Sequence, residues 1–385
     1  MSKLRIAILS YRSAPFGGGQ GVYIRDISYA LSIMGHNIDV ISGPPYPNLA
    51  KQVKLIKLPG LDLFQTFLFK ERLKIFFNKK NKKLIDYYEF LSTLLGGFPE
   101  MRTFGSRAKN YLKNNDYDII IDNQSLSYGV LDLQKENPLI EIIHHPITKD
   151  YEHELKANNK FLYRLSRHRW YSFLKMQKKV APKLQTIVTP SINSLKDIAA
   201  DFHCDPKNIT VINNGLDIDI FIPYKNIERR KFRLITTASA DVPLKGLDYS
   251  LMALSALKDK YPDIELIVIG KIKKDGHTSK LIKRLGIKDS IKFKTDLSKE
   301  EIAKEYAKSS ISIVSSLYEG FGYPVIEAMS CAVPLVAANT SSIPELVGDY
   351  ATLIPAKSSK ELAESIKDIF SDYLKYKNIA EAGRQ

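Results

Sequence analysis

The residues best suited to chemistry lie around a short glycine-bearing loop near the C-terminal end of the sequence. Glu319 precedes this loop, Gly320–Gly322, and Glu327 follows it inside a helix whose first turn Pro324 marks. A predicted strand ends just before the loop, so free backbone N–H groups and the positive end of the helix dipole meet there, as they do where proteins hold a diphosphate. The two carboxylates flank this anion site and can accept hydrogen bonds from hydroxyl groups of a phosphate-bearing ligand. Sugars offer such hydroxyl groups.

Three other places supply groups of use beside an anion. Lys245 brings a cation. His144 and His145 end a predicted strand, at the edge where doubly wound sheets bind ligands, and they cannot easily share a metal ion because consecutive strand side chains point to opposite faces. The glycine run over 15–21 lies between the first strand and a helix predicted over 22–34, and it lets the backbone approach a ligand. The run is not GxGxxG, which disfavours a dinucleotide site.

Neither carboxylates nor cysteines make an obvious metal or disulfide site. Asp217 and Asp219 form an acidic pair in a linker, but two carboxylates without further ligands do not bind a cation. The two cysteines, Cys204 and Cys331, offer no disulfide framework and no cysteine-based zinc site. We therefore expect no metal and a reducing compartment.

The elements that position these residues are predicted from short apolar runs rich in Ile, Val and Leu. Continuous rather than alternating apolar strands indicate parallel sheets covered on both faces, so the fold class is α/β. One set of strands is predicted at 4–9, 38–42, 118–122, 140–143, 186–189 and 209–213. A second set is predicted at 232–237, 264–270, 290–293, 311–315, 335–338 and 352–354. Two consecutive doubly wound domains follow, with their boundary in the turn-rich stretch 213–224.

The composition is that of an ordinary globular protein of about two domains, with 385 residues of which 44% are hydrophobic and 26% charged. A formal net charge of +15 favours anionic partners: phosphorylated small molecules, nucleic acid or an acidic membrane surface. The apolar stretch at the N-terminus is shorter than a signal-peptide core, and no apolar run approaches the ~18 residues of a spanning helix. We expect a cytoplasmic protein that does not span a membrane.

Two segments of the N-terminal half, 61–83 and 156–183, combine aromatic residues with many lysines and arginines. A surface that inserts aromatic side chains while its lysines meet anionic headgroups has this composition. Amphipathic helices that pack their aromatic side chains inward and expose their lysines have it too. Nucleic-acid binding is a third interpretation, but no recognisable nucleic-acid module supports it, and we expect no such partner.

The stretch from Glu319 to Leu346 resembles the signature of family 4 glycosyltransferases, also called glycosyl transferases group 1, which have the GT-B fold. The resemblance depends on the two glutamates with seven residues between them, followed by Ala328-Met329, Pro334 and Ser342-Ile-Pro-Glu-Leu346. It implies two doubly wound Rossmann-like domains that face an interdomain cleft. We expect an N-terminal acceptor-side domain over 1–215, a C-terminal nucleotide-sugar-binding domain over 216–370, and a tail over 371–385. At this tail the chain is either truncated or lacks the terminal helix of related chains.

The resemblance also implies roles for individual residues. Glu319 would bind a hydroxyl group of the donor sugar and Glu327 the ribose of the nucleotide. Lys245 would neutralise the departing nucleoside diphosphate, in place of a divalent metal ion. His145, with His144 as the second choice, would approach the donor sugar near the acceptor. The backbone of the two glycine loops would complete the donor site at Gly18, Gly19, Gly320, Phe321 and Gly322.

The sequence departs from the family pattern before Lys245. The family commonly has an arginine shortly before this lysine, where the present chain has Ser239 and Ala240. Neutralisation of the phosphates then depends more heavily on Lys245, or another cation contributes. Lys271, which follows a predicted strand and a glycine, is the candidate for that cation.

The expected activity is that of a metal-independent, retaining hexosyltransferase that moves a sugar from a nucleotide sugar, expected to be a UDP-hexose such as UDP-glucose, to an acceptor hydroxyl group. The nucleotide sugar is a co-substrate, so no cofactor is expected. The basic aromatic segments favour a membrane lipid as acceptor, with diacylglycerol as the single best guess, and a peripheral location at the inner face of the membrane. Two alternatives remain: a soluble sugar or polysaccharide acceptor, and a non-catalytic protein that binds anions or membranes on the same scaffold.

Overall fold

The computed structural model describes residues 3–14, 19–66 and 68–385, and the chain packs into two units. The N-terminal unit consists of Met1–Thr189 with Leu195–Ile212, and the C-terminal unit consists of Pro190–Ser194 with Asn213–Gln385. The sequence predicted a boundary after residue 215. The short segment Pro190–Ser194 therefore belongs to the C-terminal unit although it precedes the rest of that unit in the sequence.

In the described part of the N-terminal unit, seven parallel strands form one sheet in the order β3-β2-β1-β4-β5-β6-β7. The strands are β1 (Arg5–Ser10), β2 (Asn37–Ser42), β3 (Lys54–Lys57), β4 (Ile119–Asn123), β5 (Leu139–Ile142), β6 (Ile187–Thr189) and β7 (Ile209–Val211). The helices that begin before residue 200 are α1 (Gly19–Ile33), α2 (Phe69–Asn78), α3 (Leu84–Leu94), α4 (Glu100–Leu112), α5 (Tyr128–Leu133), α6 (Thr148–Ala157), α7 (Phe161–Trp170), α8 (Leu174–Val180) and α9 (Ile192–Phe202). Each strand that the sequence predicted for this unit is present.

The edge strand β3 was not predicted from the sequence. Its four residues, Lys-Leu-Ile-Lys, are half-buried or exposed, and it pairs with β2 alone. A strand this short, with a lysine at each end, does not form the continuous apolar run that marks a strand buried on both faces.

The described part of the C-terminal unit contains a second parallel sheet, with six strands in the order β10-β9-β8-β11-β12-β13. The strands are β8 (Arg230–Thr237), β9 (Glu265–Ile269), β10 (Ile291–Lys294), β11 (Ser309–Val314), β12 (Leu335–Ala338) and β13 (Thr352–Ile354). The helices are α10 (Leu247–Lys258), α11 (His277–Leu285), α12 (Lys299–Ala307), α13 (Tyr323–Ser330), α14 (Ile343–Val347), α15 (Ser359–Ser371) and α16 (Tyr373–Arg384). The predicted α/β class with two doubly wound parallel sheets is confirmed.

Both sheets are buried on both faces, which explains the continuous apolar runs. In β1, Ile6 and Ile8 pack into the core on one face while Ala7 and Leu9 pack into the core on the other. In the second sheet, Leu234 and Ile235 divide in the same way and both are fully buried. Successive strand side chains point to opposite faces, so a strand covered by helices on both sides requires apolar residues at successive positions.

The two basic aromatic segments are divided between packing and exposure. Phe76 is buried in a small cluster with Phe90, and Trp170 stacks on Phe98. Other apolar side chains of the same segments are mostly exposed, at 59% for Phe69, 68% for Phe77, 76% for Phe161 and 77% for Leu162. Residue 67, an aromatic of the first segment, lies outside the described residues. Inward packing thus accounts for part of each segment.

Among the described residues, no helix combines the length and the apolar character that crossing a bilayer requires.

The core of the C-terminal unit can be tested at Leu254, which is fully buried between α10 and the sheet. We expect Leu254→Ala to lower the free energy of unfolding by about 3 kcal/mol, because the truncation removes buried methyl groups and leaves a cavity. Leu374→Ala, at a leucine that is 67% exposed, should change it by less than about 0.5 kcal/mol. Urea denaturation followed by circular dichroism measures both, and equal losses would contradict this assignment of the core.

Candidate functional site

The loop with the two glutamates has the local structure that the sequence predicts. Strand β11 ends at Val314, the loop follows, and α13 begins at Tyr323 with Pro324 in its first turn. Gly322 precedes the helix with a φ of 114°, a backbone conformation that favours glycine. Burial of the strand fixes where the loop starts, and the proline favours the start of the helix.

Serine hydroxyl groups hold three consecutive carbonyl groups of this loop. The Ser342 hydroxyl lies 2.9 Å from the carbonyl oxygen of Glu319 and 2.5 Å from that of Phe321, and its one proton is shared between them. The Ser191 and Ser194 hydroxyls donate to the carbonyl oxygen of Gly320, at 2.6 and 2.9 Å. In a trans peptide the N–H points opposite to the C=O, so these bonds also fix the directions of the amides of residues 320, 321 and 322. The sequence predicts that these same amides bind a diphosphate.

The carboxylate of Glu319 contacts Lys245 directly. Lys245 Nζ donates to Glu319 Oε1 at 2.7 Å, and Ser316 Oγ donates to the same oxygen at 2.7 Å. Glu319 is only 8% exposed, whereas the lysine side chain is about one third exposed. The backbone N–H of Glu319 donates to Ser341 Oγ at 2.8 Å, so both ends of this residue are fixed. The structure thus brings together two of the predicted catalytic residues, which are far apart in the sequence.

Glu327 lies on α13 and makes a hydrogen bond that the sequence did not predict. Tyr306 Oη donates to Glu327 Oε2 at 3.0 Å, from the last turn of α12. Burial raises the pKa of Glu327 to about 7, and the hydrogen bond from Tyr306 acts in the opposite direction. No local pattern in the sequence marks Tyr306, because the contact joins two helices through the core.

The family commonly has an arginine shortly before Lys245, and the structure shows the surroundings of the residues that bear on its absence from this chain. Ala240 is buried in the loop after β8. Lys271, the candidate for the compensating cation, makes an exposed ion pair with Asp296 at 2.9 Å. Lys271 thus pairs with Asp296, whereas the cation in contact with Glu319 is Lys245.

The two predicted histidines of the N-terminal unit differ in their surroundings. His144 Nε2 donates to Asn123 Oδ1 at 2.8 Å, and its ring meets the edge of Tyr23 with centroids 4.7 Å apart. Burial lowers the pKa of His144 to about 3, so this ring is neutral at physiological pH. His145 is more accessible, and its Nε2 lies 2.7 Å from Asp150 Oδ2.

A glutamine positions the histidine pair. Gln124 follows β4 with a φ of 60°, and its side chain accepts from the N–H of His144 at 3.0 Å and donates to the carbonyl of His145 at 2.9 Å. Neither Gln124 nor Asp150 was predicted, although Gln124 lies just beyond the strand predicted at 118–122, at the edge where ligand-binding residues are expected. Of the predicted glycines, Gly19 is the first residue of α1 and Gly18 lies outside the described residues.

The shape of the Lys245 loop can be tested at Gly246, whose φ is 58°. A Cβ there would lie 1.9 Å from the carbonyl oxygen of Ser315, so we expect Gly246→Ala to cost about 3 kcal/mol of unfolding free energy. Gly286 is a matched control, because its φ is 65° and nothing lies within 4 Å of a Cβ. Gly286→Ala should cost about 1 kcal/mol, from backbone strain alone. Equal losses in urea denaturation would refute the close approach at Gly246.

The similarities to known proteins cover nearly all of the chain. Residues 17–220 match the family model described as Glycosyltransferase Family 4, and residues 221–385 match the model described as Glycosyl transferases group 1. An MMP alpha-(1->4)-mannosyltransferase of Mycolicibacterium hassiacum is 39% identical over 99% of this chain and 93% of that protein.

Among solved structures, sucrose-phosphate synthase from Thermosynechococcus elongatus has a TM-score of 0.75 at 19% identity, over 99% of this chain and 93% of that one. HepE of Anabaena in complex with UDP and glucose has a TM-score of 0.69 at 18% identity, over 99% and 94%. The chain has the GT-B fold and belongs to glycosyltransferase family 4.

Proposed function

We propose that this chain is a retaining hexosyltransferase that transfers a mannosyl group from a nucleoside diphosphate sugar to a hydroxyl group of an acceptor sugar. The observation that carries the proposal is the 39% identity, across 99% of the chain, to an alpha-(1->4)-mannosyltransferase. A mannosyl donor takes the place of the UDP-glucose expected from the sequence, because the name of that relative specifies the sugar. The contact between Lys245 and Glu319 supports a site that binds a phosphate and a sugar hydroxyl side by side.

The charges of the C-terminal unit suit the departure of a nucleoside diphosphate. When the bond between the anomeric carbon and the diphosphate breaks, negative charge grows on the phosphate oxygen. In our scheme Lys245 compensates this charge, and the amides of the loop 320–322 with the N-terminus of α13 bind the same phosphates. Glu319 accepts a hydrogen bond from a hydroxyl group of the donor sugar and so fixes the position of its anomeric carbon.

Retention follows when the acceptor attacks on the face from which the diphosphate leaves. The acceptor oxygen forms the new bond to the anomeric carbon, and the proton of that hydroxyl group passes to the departing phosphate oxygen. No covalent intermediate on Glu319 is required. His145, oriented by Asp150, is the residue of the N-terminal unit that we assign to the donor sugar beside the acceptor.

The assignment of Glu319 is tested by Glu319→Gln, which keeps the size of the side chain and removes its charge. We expect the rate of transfer to fall by about a hundredfold or more, while the affinity for the nucleoside diphosphate changes little, because Glu319 is assigned to the sugar. Turnover and calorimetric titration with the diphosphate measure the two quantities. Exposed Glu364→Gln is the matched control and should behave as wild type. Wild-type turnover in Glu319→Gln would contradict the assignment.

A lipid acceptor is the second candidate, and exposed apolar residues favour it. Phe69 and Phe77 on α2 and Phe161 and Leu162 on α7 are each more than half exposed, in segments rich in lysine and arginine. Side chains of this kind insert into the interfacial region of an anionic membrane. Diacylglycerol remains the lipid that we would test first, with the protein at the inner face of the cytoplasmic membrane.

The acceptor is tested by product analysis with GDP-mannose and UDP-glucose as donors and with either oligomannosides or diacylglycerol in anionic vesicles as acceptors. We expect a mannosylated sugar, identified by mass spectrometry, and no dependence on vesicles. A glycosylated lipid, together with flotation of the protein on anionic vesicles and its loss in Phe77→Ser, would overturn the sugar acceptor. Binding of a nucleoside diphosphate without turnover in any mixture would instead favour the non-catalytic alternative.

A further inference from the structure

We propose that Tyr306 is a positioning residue for donor binding, because its hydroxyl group holds the Glu327 carboxylate in the orientation that accepts hydrogen bonds from the ribose of the nucleotide. The inference rests on the proposed function, in which Glu327 binds that ribose. Tyr306 itself is fully buried, so it is not accessible to a ligand. It acts through Glu327, which is partly accessible on α13.

The Tyr306 hydroxyl group lies at the meeting point of three elements. Its oxygen is 3.0 Å from Glu327 Oε2 on α13, 3.1 Å from Thr237 Oγ1 at the end of β8, and 3.4 Å from the carbonyl oxygen of Pro324. A phenol has one O–H to donate, and an ionised carboxylate only accepts. Tyr306 therefore donates its proton to Glu327, because the contact with this carboxylate is the shortest and most strongly polarised of the three. Thr237 in turn donates its hydroxyl proton to Tyr306.

This chain of hydrogen bonds, from Thr237 through Tyr306 to Glu327, fixes the carboxylate. A glutamate side chain has three rotatable bonds and loses conformational freedom when it binds a ligand. A buried phenol held by its ring and by Thr237 fixes one carboxylate oxygen in advance, so less freedom is lost on binding. The other oxygen is then oriented by the geometry of the carboxylate.

The same hydrogen bond favours the ionised form of Glu327. Burial raises the pKa of Glu327 to about 7, and the contributions that lower it come first from Tyr306 and then from Lys299, at the start of α12. Among the described residues, Cys331, just after α13, is a further titratable group beside this carboxylate. Burial raises the pKa of Tyr306 well above its usual value, so the phenol keeps its proton throughout the neutral range. Loss of the phenol hydroxyl therefore leaves more of Glu327 protonated at pH 7, and a protonated carboxyl is a poorer acceptor.

The test is calorimetric titration of the full chain with GDP and with UDP between pH 6 and pH 9. In wild type, affinity for the diphosphate that binds should rise with pH through about 7, as Glu327 and the terminal phosphate of the ligand ionise. In Tyr306→Phe, affinity at pH 7 should fall about tenfold, with the part of the rise that comes from Glu327 displaced to higher pH, so that the loss narrows towards pH 9 to the effect of lost positioning alone. Tyr261→Phe, at a tyrosine that packs against Phe232 and Phe370, is the matched control and should follow wild type.

Three further measurements separate positioning from a general loss of structure. The 2′,3′-dideoxy form of the same diphosphate lacks the ribose hydroxyls, so Tyr306→Phe and wild type should bind it equally. Glu327→Gln should give the normal and the dideoxy diphosphate the same dependence on pH, because the amide does not titrate and the terminal phosphate is common to both ligands. Thr237→Val keeps the phenol and should shift the profile in the same direction by a smaller amount.

Each outcome has one meaning. If wild type binds neither diphosphate, the proposed function fails and the inference fails with it. If wild type binds but Tyr306→Phe weakens the normal and dideoxy diphosphates equally at every pH, the role of Tyr306 is structural and the inference alone is overturned. A difference in pH dependence between the normal and the dideoxy diphosphate that persists in Glu327→Gln also overturns it.

Discussion

The carboxyl ends of parallel strands lie at one edge of a sheet, and the candidate site of the C-terminal unit depends on this constraint. Strand β8 leads into the loop of Lys245, and β11 leads into the loop of Glu319. The two strands are neighbours in the sheet, so their loops emerge side by side and the two residues form an ion pair. An antiparallel pair would send the loops to opposite edges and separate the lysine from the carboxylate.

The second requirement is that an irregular loop keep one conformation without the hydrogen bonds of a helix or a sheet. The carbonyl groups of residues 319, 320 and 321 accept hydrogen bonds from serine hydroxyls, and Gly322 adopts the positive φ that leads into α13. Hydroxyl donors suit this task because they satisfy a buried carbonyl from the side while the amide of the same peptide faces the other way. The loop is thereby ordered by contacts from elements on either side of it.

The sequence could predict the parts of this arrangement that depend on local patterns. Buried parallel strands produce continuous apolar runs, and Pro324 marks the first turn of α13, so the fold class, the strands and the loop followed directly. The family signature located Glu319 and Lys245, and the structure places them in contact. Contacts between elements that are distant in the sequence leave no such pattern. The structure was needed to show that Tyr306 contacts Glu327 and that Ser342 contacts the loop. The edge strand β3 and the division of the basic aromatic segments between packing and exposure depend on neighbours in the same way.

The segment Pro190–Ser194 has a consequence for any attempt to produce the two halves of this protein separately. A cut at residues 212 and 213 follows the order of the chain, but it would leave the C-terminal half without the hydroxyls of Ser191 and Ser194 that satisfy the Gly320 carbonyl. It would also strip the Glu345 carboxylate of the amides of Ile192 and Asn193 that donate to it. A C-terminal half that keeps these contacts would need residues 190–194 attached as an additional peptide, because this segment precedes residue 213, where the rest of the unit begins.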